Sequence, residues 1–204
     1  MLAKLGWSNT EKDIFTIDDL IKIFDVNDIQ RSGAVFDKER LNFINQNHMA
    51  MKNDDELIDL LETFNKQNGF ELSDHHDPKR LVRLCIGSGN NFSEISNFIR
   101  PFVVDFEEYN KADFDKHLIG SENVLNYFKK SIQSITDWNE ATFEEIINSA
   151  MKDLDLPMPK IGLPLRVALV GRAKSPPLNS TIYLIDKNKT VERLDKALKT
   201  ISEH

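Results

Sequence analysis

Apolar residues in this 204-residue chain recur at spacings of three and four almost throughout, and no pair of alternating segments argues for a hairpin. Thr16 and Asp19 form a capping pattern ahead of Leu20, Ile21, Ile23 and Phe24. Asp37 can cap a helix carrying Leu41 and Ile44. Asp54 opens an amphipathic helix with Leu57, Leu60, Leu61 and Phe64 on one face, ending near Gly69. Asp77 followed by Pro78 is an N-cap with proline at the first helical position, leading into Leu81, Leu84 and Cys85. Asn91 with Glu94 precedes Ile95, Phe98 and Ile99. Ser121 starts a helix with Val124, Leu125, Phe128, Ile132 and Ile135, and another carries Phe143, Ile146, Ile147, Ala150 and Leu154. Pro164 to Gly171 reads as a short helix begun by proline and closed by glycine. Thr190 caps a last helix with Leu194, Ala197, Leu198 and Ile201. The pattern predicts an all-α chain of short helices, with seams at Met49 to Asn53 and Asp113 to Gly120.

Charge adds a local feature. From Leu156 to Ile185 the chain carries Lys160, Arg166, Arg172 and Lys174 and no Asp or Glu. The whole chain has a formal charge of −7, so the residues outside that window sum to −11, with 22 Lys and Arg against 33 Asp and Glu. A basic window on an acidic body lets a polyanion land in one place, since phosphate neutralisation is favourable there and repulsion prevails elsewhere. Five of the seven prolines (157, 159, 164, 176 and 177) fall in the same window, so its cations sit on a stiffened backbone.

Composition excludes several classes. A single cysteine, Cys85, permits no internal disulfide and suits a reducing cytoplasm. No apolar run approaches the roughly 20 residues that cross a bilayer, and no basic-then-apolar leader opens the chain. Leu2, Leu5 and Trp7 read as the end of a helix already in progress, so the chain is expected to begin inside a longer protein.

Catalytic motifs are lacking. Gly87-Ser88-Gly89 follows an apolar run, but Phe92 stands where a dinucleotide loop needs its third glycine, so a helix end and turn are expected. Adjacent His75 and His76 should point apart, and with no Cys or His at zinc spacing they read as a solvated cap. Cys85 falls on an apolar face and reads as core. His48 and His117 have no identifiable Ser or Cys partner, and the paired carboxylates such as Asp54-Asp55 and Glu144-Glu145 read as solvated surface. No catalytic residue and no metal ligand is predicted. The window differs: Arg166 offers a planar fork to phosphate or a base edge. The loop from Arg172 to Leu178 offers a hydroxyl, proline-fixed carbonyls and an exposed Leu178 to an unpaired base. The plainer alternative is that Arg166 covers its own helix and Pro176-Pro177 is a stiff turn.

The segment Pro164-Leu165-Arg166-Val167-Ala168-Leu169-Val170-Gly171, followed by Ser175-Pro176-Pro177-Leu178, resembles the C-terminal anticodon-binding signature of bacterial glutamyl-tRNA synthetases. Two further stretches agree. Leu5-Gly6-Trp7-Ser8 with Ile14-Phe15-Thr16 and Phe24-Asp25 is similar to the segment after that family's second catalytic motif. Arg31-Ser32-Gly33-Ala34-Val35-Phe36-Asp37 with Lys38, Leu41 and Asn45 is similar to its stem-contact segment. The family's His-x-Gly-His and Lys-Met-Ser-Lys-Ser-like motifs do not occur here.

The resemblance therefore implies the C-terminal part of a glutamate–tRNA ligase. Its stem-contact segment would be residues 1–52, followed by two helical anticodon-binding subdomains at 53–118 and 119–204. It implies that Arg166, Ser175, Pro176 and Leu178 read the anticodon, with Arg172, Lys174 and Lys160 on the tRNA backbone. Asn91, also a sufficient helix cap, stands where the family carries an arginine for the third anticodon base. The expected partner is accordingly tRNA for glutamate, extending to tRNA for glutamine, unless Lys79, Arg80 or Arg83 supplies that contact. The parent would be a cytoplasmic monomer using ATP and magnesium; this chain alone would need no cofactor and be inactive. The rival is a helical protein-interaction module docking a partner through Pro176, Pro177, Leu178 and Ile182.

Overall fold

The computed structural model describes residue 7, residues 13–29 and residues 35–204, and among these the chain is all-α. The N-terminal part holds α1 (Ile17–Ile23), closed at its start by a reciprocal capping box between Thr16 and Asp19, and α2 (Lys38–Ala50), capped by Asp37. Trp7 does not continue a helix. It forms an isolated antiparallel bridge with Ile29 and lies buried between the rings of Phe15 and Phe24. Leu2 and Leu5, and residues 31–34 of the stem-contact resemblance, lie outside the described residues.

A second group comprises α3 (Asp54–Gln67), α4 (Pro78–Ile86) and α5 (Phe92–Val103). The cap of α3 is Asn53 and not Asp54; its side chain accepts from the Glu56 N–H at 2.9 Å. Leu57 and Leu61 are buried, whereas Leu60 rotates to the exposed side. Asp77 with Pro78, and Asn91 with Glu94, start α4 and α5 as their sequences predict. The glycines after α4 make the expected turn, and Gly89 has no room for a side chain: a Cβ there would lie 2.8 Å from the Glu94 Cβ.

The remaining elements are α6 (Lys111–Asp113), a π-turn at Phe114–Leu118, α7 (Glu122–Ser134), α8 (Glu140–Asp153), α9 (Met158–Val170), α10 (Leu178–Ile185) and α11 (Lys187–Ser202). Within the expected seam at Asp113–Gly120, Phe114 and Leu118 are buried and the π-turn lies against α9, while Asp115, Lys116, Ile119 and Gly120 are exposed. Helix α9 is the spine, contacting α7, α8, α10 and α11 as well. Burying its Ile161, Leu165, Val167 and Leu169 contributes about 1.5–3 kcal/mol per side chain. One contiguous apolar core runs from Met49 to Ala197.

Two boundaries differ from the sequence reading. Pro164 sits inside α9; the helix starts at Met158 because Pro159 already occupies the first turn, where a missing N–H costs nothing. Thr190 lies inside α11, which is capped by Asp186; the Thr190 hydroxyl donates back to the Asp186 carbonyl. Gly171 ends α9 at φ +76, and a Cβ there would press to 3.1 Å of the Phe106 ring.

Candidate nucleic-acid interface

Arg166 is the one charged residue between the buried Leu165 and Val167 of α9, and it emerges half-buried beside the loop that follows the helix. Its Nη1 donates to the Ser175 carbonyl at 2.9 Å, to the Ser175 hydroxyl and to the Pro176 carbonyl. The Ser175 hydroxyl in turn donates to the Pro176 carbonyl at 2.9 Å and meets the Thr181 hydroxyl at 3.1 Å. Prolines 176 and 177 withhold N–H donors, so the carbonyls of this turn are left for side-chain donors. All three Arg166 bonds use Nη1, and its Nε and Nη2 form no hydrogen bond among the described residues. Burial holds the guanidinium below its ordinary pKa.

The rest of the loop is braced from three sides. Asn110 N–H donates to the Gly171 carbonyl at 2.7 Å, and Ala173 N–H donates to Asp113 Oδ2 at 2.8 Å. Arg193, buried and opposite, donates from Nη1 to the Leu169 carbonyl at 2.6 Å and from Nη2 to Asp105 Oδ1 at 2.9 Å. Arg172 bonds to the Asn97 carbonyl and lies 4.9 Å from the Phe98 ring centre. Lys174 is exposed, 4.8 Å from the same ring and 3.5 Å from the Ser88 carbonyl. Lys160 stands apart, on a groove of about 500 Å³ shared with Lys116 and His117.

The structure thus brings Arg166, Ser175 and Pro176 into one knot, with Arg172 and Lys174 adjoining. One expected exposure changes, and one expected cap forms. Leu178 is not exposed: at 3 % exposure it packs inward beside Gly162 of α9, a position it shares with the Met158 side chain. Asn91 has both ends of its amide engaged, accepting from Glu94 N–H and donating to Glu94 Oε1, each at 3.0 Å. The three alternative cations are paired too: Lys79 with Asp55, Arg80 with Glu140, and Arg83 with Asp54. The rival docking surface is absent, since Pro176, Leu178 and Ile182 are buried and only Pro177 of that set is exposed.

Sequence reasoning missed several residues. His75 is not a solvated cap. It is buried, stacked on His76 with ring centres 4.4 Å apart, and bonded through Nε2 to the Leu184 carbonyl at 2.8 Å. Arg193 and Asp113 carry no local sequence signal of their partners, although Arg193 lies on the buried stripe of Thr190, Leu194 and Ala197. Cys85 is core as expected, and burial pushes its thiol up to about 12. Among the described residues no cluster of three His, Cys, Asp or Glu could hold a metal ion, and no helix is long and apolar enough to cross a membrane.

This all-α scaffold presenting a proline-stiffened basic loop matches the family model described as anticodon binding domain over residues 55–198, and the chain belongs to that family. The chain is 29% identical over 202 residues to the glutamate–tRNA ligase of Legionella pneumophila (strain Paris), covering 98% of this chain and 43% of the ligase. It is also similar to the crystal structure of a glutamate tRNA ligase from Elizabethkingia meningosepticum in complex with its amino acid. There the TM-score is 0.84 and the identity 26%, over 98% of this chain and 40% of that one. The glutamate-tRNA synthetase of Elizabethkingia anophelis gives a TM-score of 0.79 at 26% identity, over 97% and 39%. The chain spans about two fifths of the length of these relatives.

Proposed function

We propose that this chain is the tRNA-reading part of a glutamate–tRNA ligase and that it selects tRNA by holding unstacked anticodon bases at the Arg166 knot. The observation that carries the reading is that Arg166 ties the Ser175–Pro176 carbonyls with one nitrogen while its other nitrogens take no partner among the described residues. A pre-shaped guanidinium fork of this kind can meet a base edge or phosphate with little further ordering. Arg172 and Lys174 then serve the backbone, and Pro176 sets the wall of the site. Leu178, being buried, supports α10 from within and does not stack on a base.

The mechanism is positioning. Binding at the anticodon orients the tRNA so that its acceptor end reaches the part of the ligase outside this chain, where ATP and magnesium would act and glutamate would be joined to tRNA. In this reading the chain by itself does not charge tRNA, and its divisions fall near residues 52 and 118. With Asn91 engaged by Glu94, the third anticodon base meets no arginine at that position, so tRNA for glutamine is accepted alongside tRNA for glutamate. The parent works as a cytoplasmic monomer.

Arg166→Ala in the full-length ligase tests this. The expected outcome is a loss of cognate tRNA charging with unchanged glutamate and ATP binding, and a loss that is smaller for tRNAs already altered at the anticodon. An equal loss across all anticodons would reduce Arg166 to an electrostatic anchor.

A further inference from the structure

Helix α2 reaches the basic loop through a single turn. It buries only Ile44 and Met49, while Phe43 on the same helix stays exposed, so apolar packing alone holds it lightly. Its polar residues do more. Asn45 Nδ2 donates to the Asn90 carbonyl, and Gln46 Nε2 donates to Asn90 Oδ1 at 2.9 Å and to the Gly89 carbonyl at 3.4 Å. These bonds are partly shielded from water, which raises the cost of losing them.

The turn they grip is itself held. From the other side Glu94 Oε2 accepts from Asn90 N–H at 2.9 Å and Asn90 Nδ2 at 3.1 Å, and these bonds hold its carboxyl below the ordinary range. Gly89 packs closely on the first turn of α5, where a Cβ would lie 2.8 Å from the Glu94 Cβ and 2.9 Å from the Ile95 nitrogen. The next carbonyl, Ser88, receives Lys174, whose neighbour Ser175 is clamped by Arg166. A continuous run of contacts therefore links α2, the turn at residues 88–90, and the basic loop.

We propose that Asn45 and Gln46 are positioning residues: their amide clasp on Asn90 fixes the angle between α2 and the basic loop, so that two separated parts of one tRNA are engaged at once. The inference rests on the tRNA-reading function proposed above. A second contact on the same ligand adds affinity only if the geometry between the two contacts matches the ligand's. With the clasp open, α2 pivots on Ile44 and Met49, and the second contact loses its advantage while the first is untouched.

The test compares two RNAs on this chain, carrying either its own sequence or Asn45→Ala with Gln46→Ala. One RNA is a full transcript of tRNA for glutamate; the other is a hairpin of its anticodon arm alone. The unsubstituted chain is expected to bind the transcript more tightly than the hairpin. The double variant should shrink that advantage about tenfold, the scale of two or three neutral hydrogen bonds, with hairpin affinity changed by less than about twofold. The unchanged hairpin affinity shows that the cage still folds, which a merely structural role would not preserve. An undiminished advantage, or equal losses on both RNAs, would overturn the clasp as a positioning device. Failure of the unsubstituted chain to prefer its cognate hairpin over one with a changed anticodon would overturn the tRNA reading itself, and the clasp with it.

Discussion

Replacing Arg193 by methionine probes what holds the end of α9 and the loop it launches. Arg193 is 4 % exposed, and its two outer nitrogens bond to the Leu169 carbonyl and to Asp105. Breaking a buried ion pair costs about 3–5 kcal/mol when the surviving charge is stranded. Here the Asp105 side chain is 72 % exposed, so its carboxylate returns to water and that figure overstates the loss. What is stranded is the Leu169 carbonyl. Its helical partner four residues on, Ala173 N–H, is already given to Asp113. An orphaned buried acceptor costs about 1–3 kcal/mol. Methionine offsets some of this, because it fills similar space and removes Arg193 Nε, a buried donor unpaired among the described residues. The net expectation is a destabilisation of about 1–2 kcal/mol, or a fall in Tm of roughly 2–8 °C for a chain of this size. Calorimetric unfolding of the two proteins measures it. An unchanged Tm would refute the claim that Arg193 satisfies Leu169, and a loss beyond about 4 kcal/mol would refute the claim that Asp105 is rescued by solvent.

Two further outcomes follow from the same structure. Burial lowers the pKa of His75 below its ordinary 6.5, so the unfolded chain binds a proton that the folded chain refuses. The His75 contribution to stability is therefore complete above about pH 6.5 and declines as the pH falls below it; His75→Gln, which keeps an N–H for Leu184, should flatten that decline in urea midpoints taken across the acid range. Identical pH slopes in the two proteins would show that His75 is protonated where it lies. The paired glycines give a contrast in thermal unfolding. Gly89→Ala should destabilise by about 1–3 kcal/mol because its Cβ meets backbone and Glu94, whereas Gly87→Ala, with open space and φ −80, should be neutral or gain up to about 1 kcal/mol.

Signals that lie within one turn of chain were legible. The caps at Thr16, Asp37, Asp77 and Asn91, and the stop at Gly171, follow from residues three or four positions apart. The basic window was visible because charge needs no fold to be counted. What escaped spans long separations: Arg193 to Asp105 across 88 positions, Gln46 to Asn90 across 44, and His75 to Leu184 across 109. A polar residue can be seen on a buried stripe, but its partner cannot. The inward turn of Leu178 is hidden from the sequence for a related reason. The prolines before it fix the turn, yet which way the next side chain points depends on the packing around Gly162 and Met158 of another helix.

One contrast among the cations joins the acidic body to the basic loop. Lys79, Arg80, Arg83, Lys189 and Arg193 are each paired with a carboxylate, so their charge is largely cancelled within the protein. Arg166 and Arg172 are held instead by the carbonyls of residues 175 and 176 and of Asn97. A carbonyl dipole can fix a side chain's direction as well as a carboxylate can, but it leaves the positive charge uncancelled. Burial of Arg166 and Arg172 without such cancellation is costly, as their lowered pKa values register. An arriving phosphate supplies the missing negative charge, so part of the strain built into the free loop is relieved only on binding. Carboxylates in the loop would stabilise the free protein and weaken that gain, which gives a physical reason for a window without Asp or Glu in a chain that has 33 of them.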